Sequence, residues 1–244
     1  MLLKCSLPAV AFILLLASEA SATWSILAVD TASGEMVVAS ATCLQQSVFA
    51  RFGARDLRDI QAVAVPGKGI AVCQASIDTT RKNQQIVQAE LGKATDPARI
   101  LELLKMQDPA FESRQFGILD LQGKSIGFSG RGNSASALSE SGKTGSTLYY
   151  QMQGNILAND DVIHAAARAF TSVSATLGDR VMAAMEAADA KGGDRRCTDG
   201  RTAYVAYILI IAKSGKETYI TATDEDSPNP IPALRTRYNT ALRK

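Results

Sequence analysis

The chain has 244 residues, of which 46% are hydrophobic, 20% charged and 6% aromatic, with 18 Gly and 7 Pro. That composition excludes collagen-like, low-complexity and disordered classes. The 26 Lys and Arg nearly cancel the 24 Asp and Glu, leaving +2. No basic run interleaved with aromatics is present, so nucleic acid is not an expected partner.

Residues 1–22, MLLKCSLPAVAFILLLASEASA, read as a targeting segment. Lys4 supplies a positive start, Leu7 to Ala17 an apolar run of 11 residues, and Ala20-Ser21-Ala22 a small-x-small cleavage site. The run is shorter than the ~20 residues that span a bilayer, which disfavours an uncleaved anchor. Cys5 precedes the apolar run, so lipoprotein processing has no support. The expectation is a signal peptide over 1–22 and one exported domain over 23–244. That domain would be secreted or periplasmic and without a stable membrane anchor.

Export changes the cysteine arithmetic. Cys43, Cys73 and Cys197 remain after cleavage, and an oxidising compartment favours one disulfide and one free thiol. Cys73 lies in the apolar run from Gly69 to Ala75 and reads as a small buried hydrophobe. Cys43 and Cys197 stand at element edges among Thr, Gln and Arg, so these two are expected to pair. The cysteine spacings fit no zinc pattern, and the chain holds a single His. No metal or cofactor is expected.

Along the exported part, Trp24 to Asp30 and Met36 to Thr42 flank a turn cluster and read as a β-hairpin. Gln61 to Val65 and Gly69 to Ile77 form a second strand–turn–strand signal around Pro66-Gly67. Helical spacing follows in Asn83 to Leu91 and Ala98 to Lys105, the latter behind Asp96-Pro97 as cap and first turn. Strands are expected at Phe116 to Leu121, Ser125 to Phe128 and Leu148 to Gln153. Helices are expected at Asp160 to Thr171 and Asp179 to Ala190. Two strands, Ala203 to Ala212 and Glu217 to Thr223, precede an Asp/Pro-rich tail. Paired helices and hairpin strands predict an α+β fold of two stacked, mainly antiparallel sheets with a helix pair on each outer face.

Familiar catalytic motifs fail. Gly142-Lys143-Thr144 ends like a phosphate-binding loop, but position 137 is Ala where its first Gly belongs. Gly130-Arg131-Gly132 opens no helix and reads as turn glycine. His164 lies mid-helix and has no triad around it. The cleavage site itself offers another route, since it leaves Thr23 as a new N-terminus at the start of a strand. A free α-amine titrates close to neutral pH and can take the proton from its own hydroxyl. One N-terminal Thr then supplies both nucleophile and base.

Further blocks run in order along the chain: Thr23-Trp-Ser-Ile-Leu-Ala-Val-Asp30, Val38-Ala-Ser40, Arg114 to Asp120, Phe128-Ser-Gly130, Gln153-Gly-Asn155, Gly192-Gly-Asp194-Arg195-Arg196 and Asp226 to Pro230. In these the sequence resembles the bacterial family called domain of unknown function 1028, placed among the N-terminal-nucleophile (Ntn) hydrolases. The resemblance covers nearly all of the exported part. It implies a four-layer αββα sandwich and an attack by Thr23 on an amide carbonyl. Relatives that start Met-Thr-Phe-Ser-Ile would expose the same Thr by losing Met. After Arg196 the chain departs from the family, with Cys197-Thr198-Asp199-Gly200 in place of Gly and Gln-Ser.

Four more residues are candidates by position. Ser40 could hydrogen-bond near the amine or be an ordinary strand serine. Asn155 could contribute to an oxyanion hole or be a turn residue after Gly154. Asp194 and Arg195 could orient the amine and bind a carboxylate, or form a loop-fixing ion pair. Arg196 has no separate case. The expected partner is a small-molecule or peptide amide substrate, and assembly into a homo-oligomer stays open. The alternative is a non-catalytic binding or cell-surface interaction protein on the same fold.

Overall fold

Apolar residues run almost unbroken through the opening two strands, as they do in strands covered on both faces. In the computed structural model, which describes residues 23–133 and 136–242, those strands are β1 (Thr23–Asp30) and β2 (Met36–Thr42). They pair antiparallel, with Thr23 opposite Thr42 and Val29 opposite Met36. The proposed signal segment and its cleavage site through Ala22 lie outside the described residues.

Among the described residues the strands form two sheets. One is built from β1, β2, β7 (Leu138–Thr144), β8 (Leu148–Asn155), β9 (Val205–Ile211) and β10 (Glu217–Thr223), in the order β10-β9-β2-β1-β8-β7. The other is β3 (Ala62–Val65), β4 (Gly69–Ala75), β5 (Arg114–Asp120) and β6 (Ser125–Ser129), in sequence order. Every neighbouring pair is antiparallel. The opening hairpin therefore occupies the centre of the larger sheet, as its composition predicts.

Period-two alternation sorts the side chains into layers. Trp24, Ile26 and Ala28 pack outward with Val37 and Ala39 against α4 (Asp161–Ser172), α5 (Leu177–Ala190) and α6 (Pro230–Leu242). Leu27, Val29, Met36 and Val38 face the other way and meet Ile70, Val72 and Leu119 of the smaller sheet. The outer face of that sheet, with Ala71, Phe116 and Ile118, is covered by α2 (Lys82–Gly92) and α3 (Pro97–Gln107). Asp96 caps α3 by accepting from the Ala98 N–H at 3.0 Å, with Pro97 at the first helical position. The result is the four-layer αββα sandwich.

Some elements differ from the sequence reading. Gln61 ends a short helix, α1 (Leu57–Gln61), and β3 starts one residue later. The tail contains α6, whose Ile231, Leu234 and Tyr238 are buried against the larger sheet, making three helices on that face. The polar segment Leu138–Thr144 is an edge strand held by β8.

Cys43 and Cys197 form the expected disulfide, with Cα atoms 5.2 Å apart. Cys73 is the free thiol. It is half-buried, not fully so, because its strand lies next to a surface cleft. Desolvation by its packed neighbours pushes the thiol up to about 12. A chain beginning at Thr23 should show one thiol under denaturant without reductant. In the native state Cys73 should alkylate at pH 8 about 1000-fold more slowly than an ordinary free thiol, since only the thiolate reacts. Three thiols, or an ordinary native rate, would contradict this arrangement.

Candidate active site

The first residue of β1 is a junction of three elements. Thr23 pairs with Thr42 on one side and with Asn155, at the end of β8, on the other. Its backbone N–H donates to Asn155 Oδ1 at 3.2 Å, and its hydroxyl donates to Thr42 Oγ1 at 3.3 Å. Its carbonyl accepts from Gln74 Nε2 at 3.0 Å. Thr23 is 1% exposed, and Thr42 and Asn155 are fully buried. Polar groups at such depth persist only when hydrogen-bonded, so each contact fixes an orientation.

Thr42 passes the network on to Asp194. Its Oγ1 also faces Arg196 Nη2 at 3.3 Å. The Asp194 carboxylate is wholly buried. It accepts from the Cys43 N–H at 2.8 Å, the Arg196 N–H at 2.9 Å, Arg196 Nε at 3.2 Å and Arg196 Nη2 at 2.7 Å. A fork-shaped guanidinium on a carboxylate is the strong form of such a pair. Gly193 makes this loop possible. Its φ is 49°, and a Cβ there would lie 2.7 Å from the Trp24 ring, so only glycine lets the chain close over β1. The disulfide follows one residue after Thr42 and one after Arg196, clamping the two segments together.

A second network enters from the smaller sheet. Gln74 Nε2 also donates to Gln115 Oε1 at 2.7 Å, and Gln115 Nε2 donates to the Gly154 carbonyl at 2.8 Å. Ser25 Oγ donates to Gln74 Oε1 at 2.5 Å. Two buried glutamines thus tie the sheets together beside Thr23. The residues that follow Gln74 and Asn155 both carry left-handed backbone, Ala75 at φ 76° and Ile156 at φ 52°. Each costs about 1–3 kcal/mol, more for a β-branched side chain, and such strain collects at functional sites.

The structure groups most of the sequence candidates and separates two. Thr23 and Asn155 are in direct contact, and Asp194 reaches them through Arg196 and Thr42. Ser40 lies two residues deeper on β2, where its Oγ is 2.8 Å from the Trp24 carbonyl and 2.9 Å from Ser25 Oγ. It supports the network without touching Thr23. Arg195 is exposed, and among the described residues it is engaged only through its backbone N–H, with the Ile156 carbonyl at 3.3 Å. The guanidinium that enters the site belongs to Arg196. Thr42, Gln74 and Arg196 are the residues sequence reasoning missed. Thr42 was available from hairpin register, and Gln74 stands out as a polar residue in an apolar strand.

Beyond Thr23 opens a narrow cleft, lined by Leu57, Ile60, Gln61, Gln74, Ala75 and Ile77, with room for about one water molecule. His164 lies outside it, exposed on α4 and paired with Glu140 at 2.7 Å. No group of three or more His, Cys, Asp or Glu side chains placed to hold a metal ion occurs among the described residues.

Residues 23–234 match the family described as "Family of unknown function (DUF1028)". A comparison with curated proteins found no match. Among solved structures, the crystal structure of protein SPO2555 from Silicibacter pomeroyi, itself assigned to DUF1028, is similar at 23% identity and a TM-score of 0.70. The similarity covers 91% of this chain and 89% of that one.

Proposed function

Because the chain belongs to the DUF1028 family, matched from Thr23 onward, we propose that it is an exported Ntn-type amidohydrolase or peptidase whose nucleophile is Thr23. The observation that carries this reading is the placement of Thr23. It heads the central strand, with a carboxamide oxygen at its nitrogen and a hydroxyl partner at its own hydroxyl.

In the uncleaved chain that nitrogen is a peptide amide and no base. Cleavage after Ala22 converts it to an amine held at Asn155 Oδ1. The amine takes the hydroxyl proton as Thr23 Oγ1 bonds to the substrate carbonyl carbon. The carbon–nitrogen bond then breaks, and the proton passes to the leaving amine. Water, deprotonated by the same α-amine, cleaves the resulting ester and releases a carboxylic acid, restoring the Thr23 hydroxyl. Asn155 and Gln74 hold the nucleophile's backbone on both sides, while Asp194 and Arg196 position Thr42. This pathway requires neither histidine nor a cofactor.

The burial of Thr23 supports a second reading, a non-catalytic binding protein on the same fold. N-terminal sequencing of the exported protein discriminates between them first. Expression of the full chain with its own residues 1–22 should yield a product starting Thr23-Trp24-Ser25. Any other start removes the free amine from Thr23 and with it the mechanism.

A further inference from the structure

On the outer side of the loop after β4 lies an open pocket of about 330 Å³, at the small end of the range of small-molecule sites. Ile77 lines both this pocket and the Thr23 cleft, so the two adjoin. We propose that the pocket binds a carboxylate of the amide substrate, with Lys82 and Arg114 as its recognition groups. This assignment of substrate class rests on the Thr23 reading above.

The argument is an account of which groups are still available. Asp78 and Asp108 line the pocket, but their oxygens are already committed. Asp78 Oδ1 accepts from the Thr80 N–H and hydroxyl, at 3.0 and 2.6 Å, and its Oδ2 from the Asn83 N–H at 3.0 Å. Asp108 Oδ1 accepts from the Ala110 N–H at 2.8 Å, and its Oδ2 from Asn83 Nδ2 at 2.6 Å and Arg114 Nε at 2.8 Å. Burial alone would raise both carboxyls, yet these hydrogen bonds hold them below the usual carboxylate range.

The cations are in the opposite condition. The Arg114 side chain is 11% exposed and spends Nε on Asp108 and Nη1 on the Ser76 carbonyl. Its Nη2 has no partner among the described residues. Lys82, at the first turn of α2, is exposed and likewise has none. Both carboxylates of the pocket are therefore hydrogen-bonded, while Arg114 Nη2 and the Lys82 ammonium have no partner among the described residues. That is complementary to an anion, and a planar carboxylate suits a guanidinium edge. Ile77, Pro109 and Ala110 add an apolar lining to the pocket, and Ile77 also lines the Thr23 cleft. An N-acylated amino acid or a short peptide end has this combination of carboxylate, small apolar body and nearby amide.

The test uses Thr23→Ala, which separates binding from turnover. N-acetylalanine and N-acetylalaninamide are titrated into it at pH 7 and followed by NMR. The acid should bind about tenfold more tightly than the amide, because only it completes charge-assisted bonds, and should shift the resonances of Thr79, Lys82 and Arg114. Lys82→Glu in the same background should abolish that preference. A Glu in the first turn suits the helix dipole, so this variant should fold. Equal affinities, a preference that survives Lys82→Glu, or shifts confined to other regions would overturn the proposal. In a chain with Thr23 intact, acylation of Thr23 by a small uncharged β-lactone is measured separately from acid binding. A missing acylation alongside a retained acid preference would therefore count against the nucleophile and not against the pocket.

Discussion

Replacing Thr23 by Ala is expected to lower β-lactone acylation at position 23 by at least about 1000-fold, as loss of a nucleophile does in other covalent enzymes. The fold should survive. Only a hydroxyl and a methyl are lost, and the backbone contacts to Asn155 and Gln74 remain. The hydroxyl's bond to Thr42, at 3.3 Å, is long, so the stability cost should be about 1–2 kcal/mol. Thr23→Ser keeps both hydroxyl and amine and should retain measurable acylation. Thermal melts alongside acylation rates distinguish chemistry from unfolding. Equal rates in Thr23→Ala and the parent chain would remove Thr23 from the mechanism.

The second large effect is expected at Asp194. Its buried carboxylate accepts from Cys43 and three Arg196 donors. Asp194→Ala would strand a partly buried guanidinium and a buried backbone N–H. Losing one member of such a pair costs about 3 kcal/mol here, at the lower end for buried pairs because the Arg196 side chain keeps 25% of its exposure. In a domain of this size that corresponds to a fall in Tm of about 6–12 °C. Acylation of Thr23 should fall as well, since Thr42 loses the anchored Arg196. The disulfide should keep the loop attached, so the variant is expected to melt cooperatively. An unchanged Tm would show that Asp194 does not carry the loop.

The fold was largely legible because its central strands are covered on both faces. The apolar runs of β1, β2 and β9 could be read directly, and so could the pairing of helices around them. Elements without that signal were not legible. Leu138–Thr144 has a polar sequence and exists as a strand because β8 supplies its hydrogen bonds. The helix Pro230–Leu242 begins Pro-Ile-Pro, which reads as a turn until burial of Leu234 and Tyr238 shows which face is covered. α1 is a single turn, too short for a periodic pattern.

The site divided along similar lines. Thr23 was found by chemistry, and Asn155 and Asp194 by chemistry and position, the one at a strand end after Gly154 and the other after Gly192-Gly193. The choice between Arg195 and Arg196 depended on which residue the Gly192-Gly193 turn aims inward, and adjacent residues in a loop have no fixed parity. Gln74 acts across the gap between sheets, a distance in space with no counterpart in sequence spacing. Thr42 required knowing the hairpin register, which follows once β1 and β2 are paired.

The central claim is that a free amine on Thr23 activates the hydroxyl of the same residue. Two chains isolate that amine, one beginning at Thr23 and the other retaining Ala22 as a single preceding residue. Both carry the hydroxyl, and only the first carries an amine at Thr23. Each is incubated with the same β-lactone, digested and mapped by mass spectrometry. The account predicts one lactone mass on the N-terminal peptide of the first chain, located at Thr23, and none at Thr23 in the second. Equal labelling of both chains, or labelling of the first only at other residues, would contradict it.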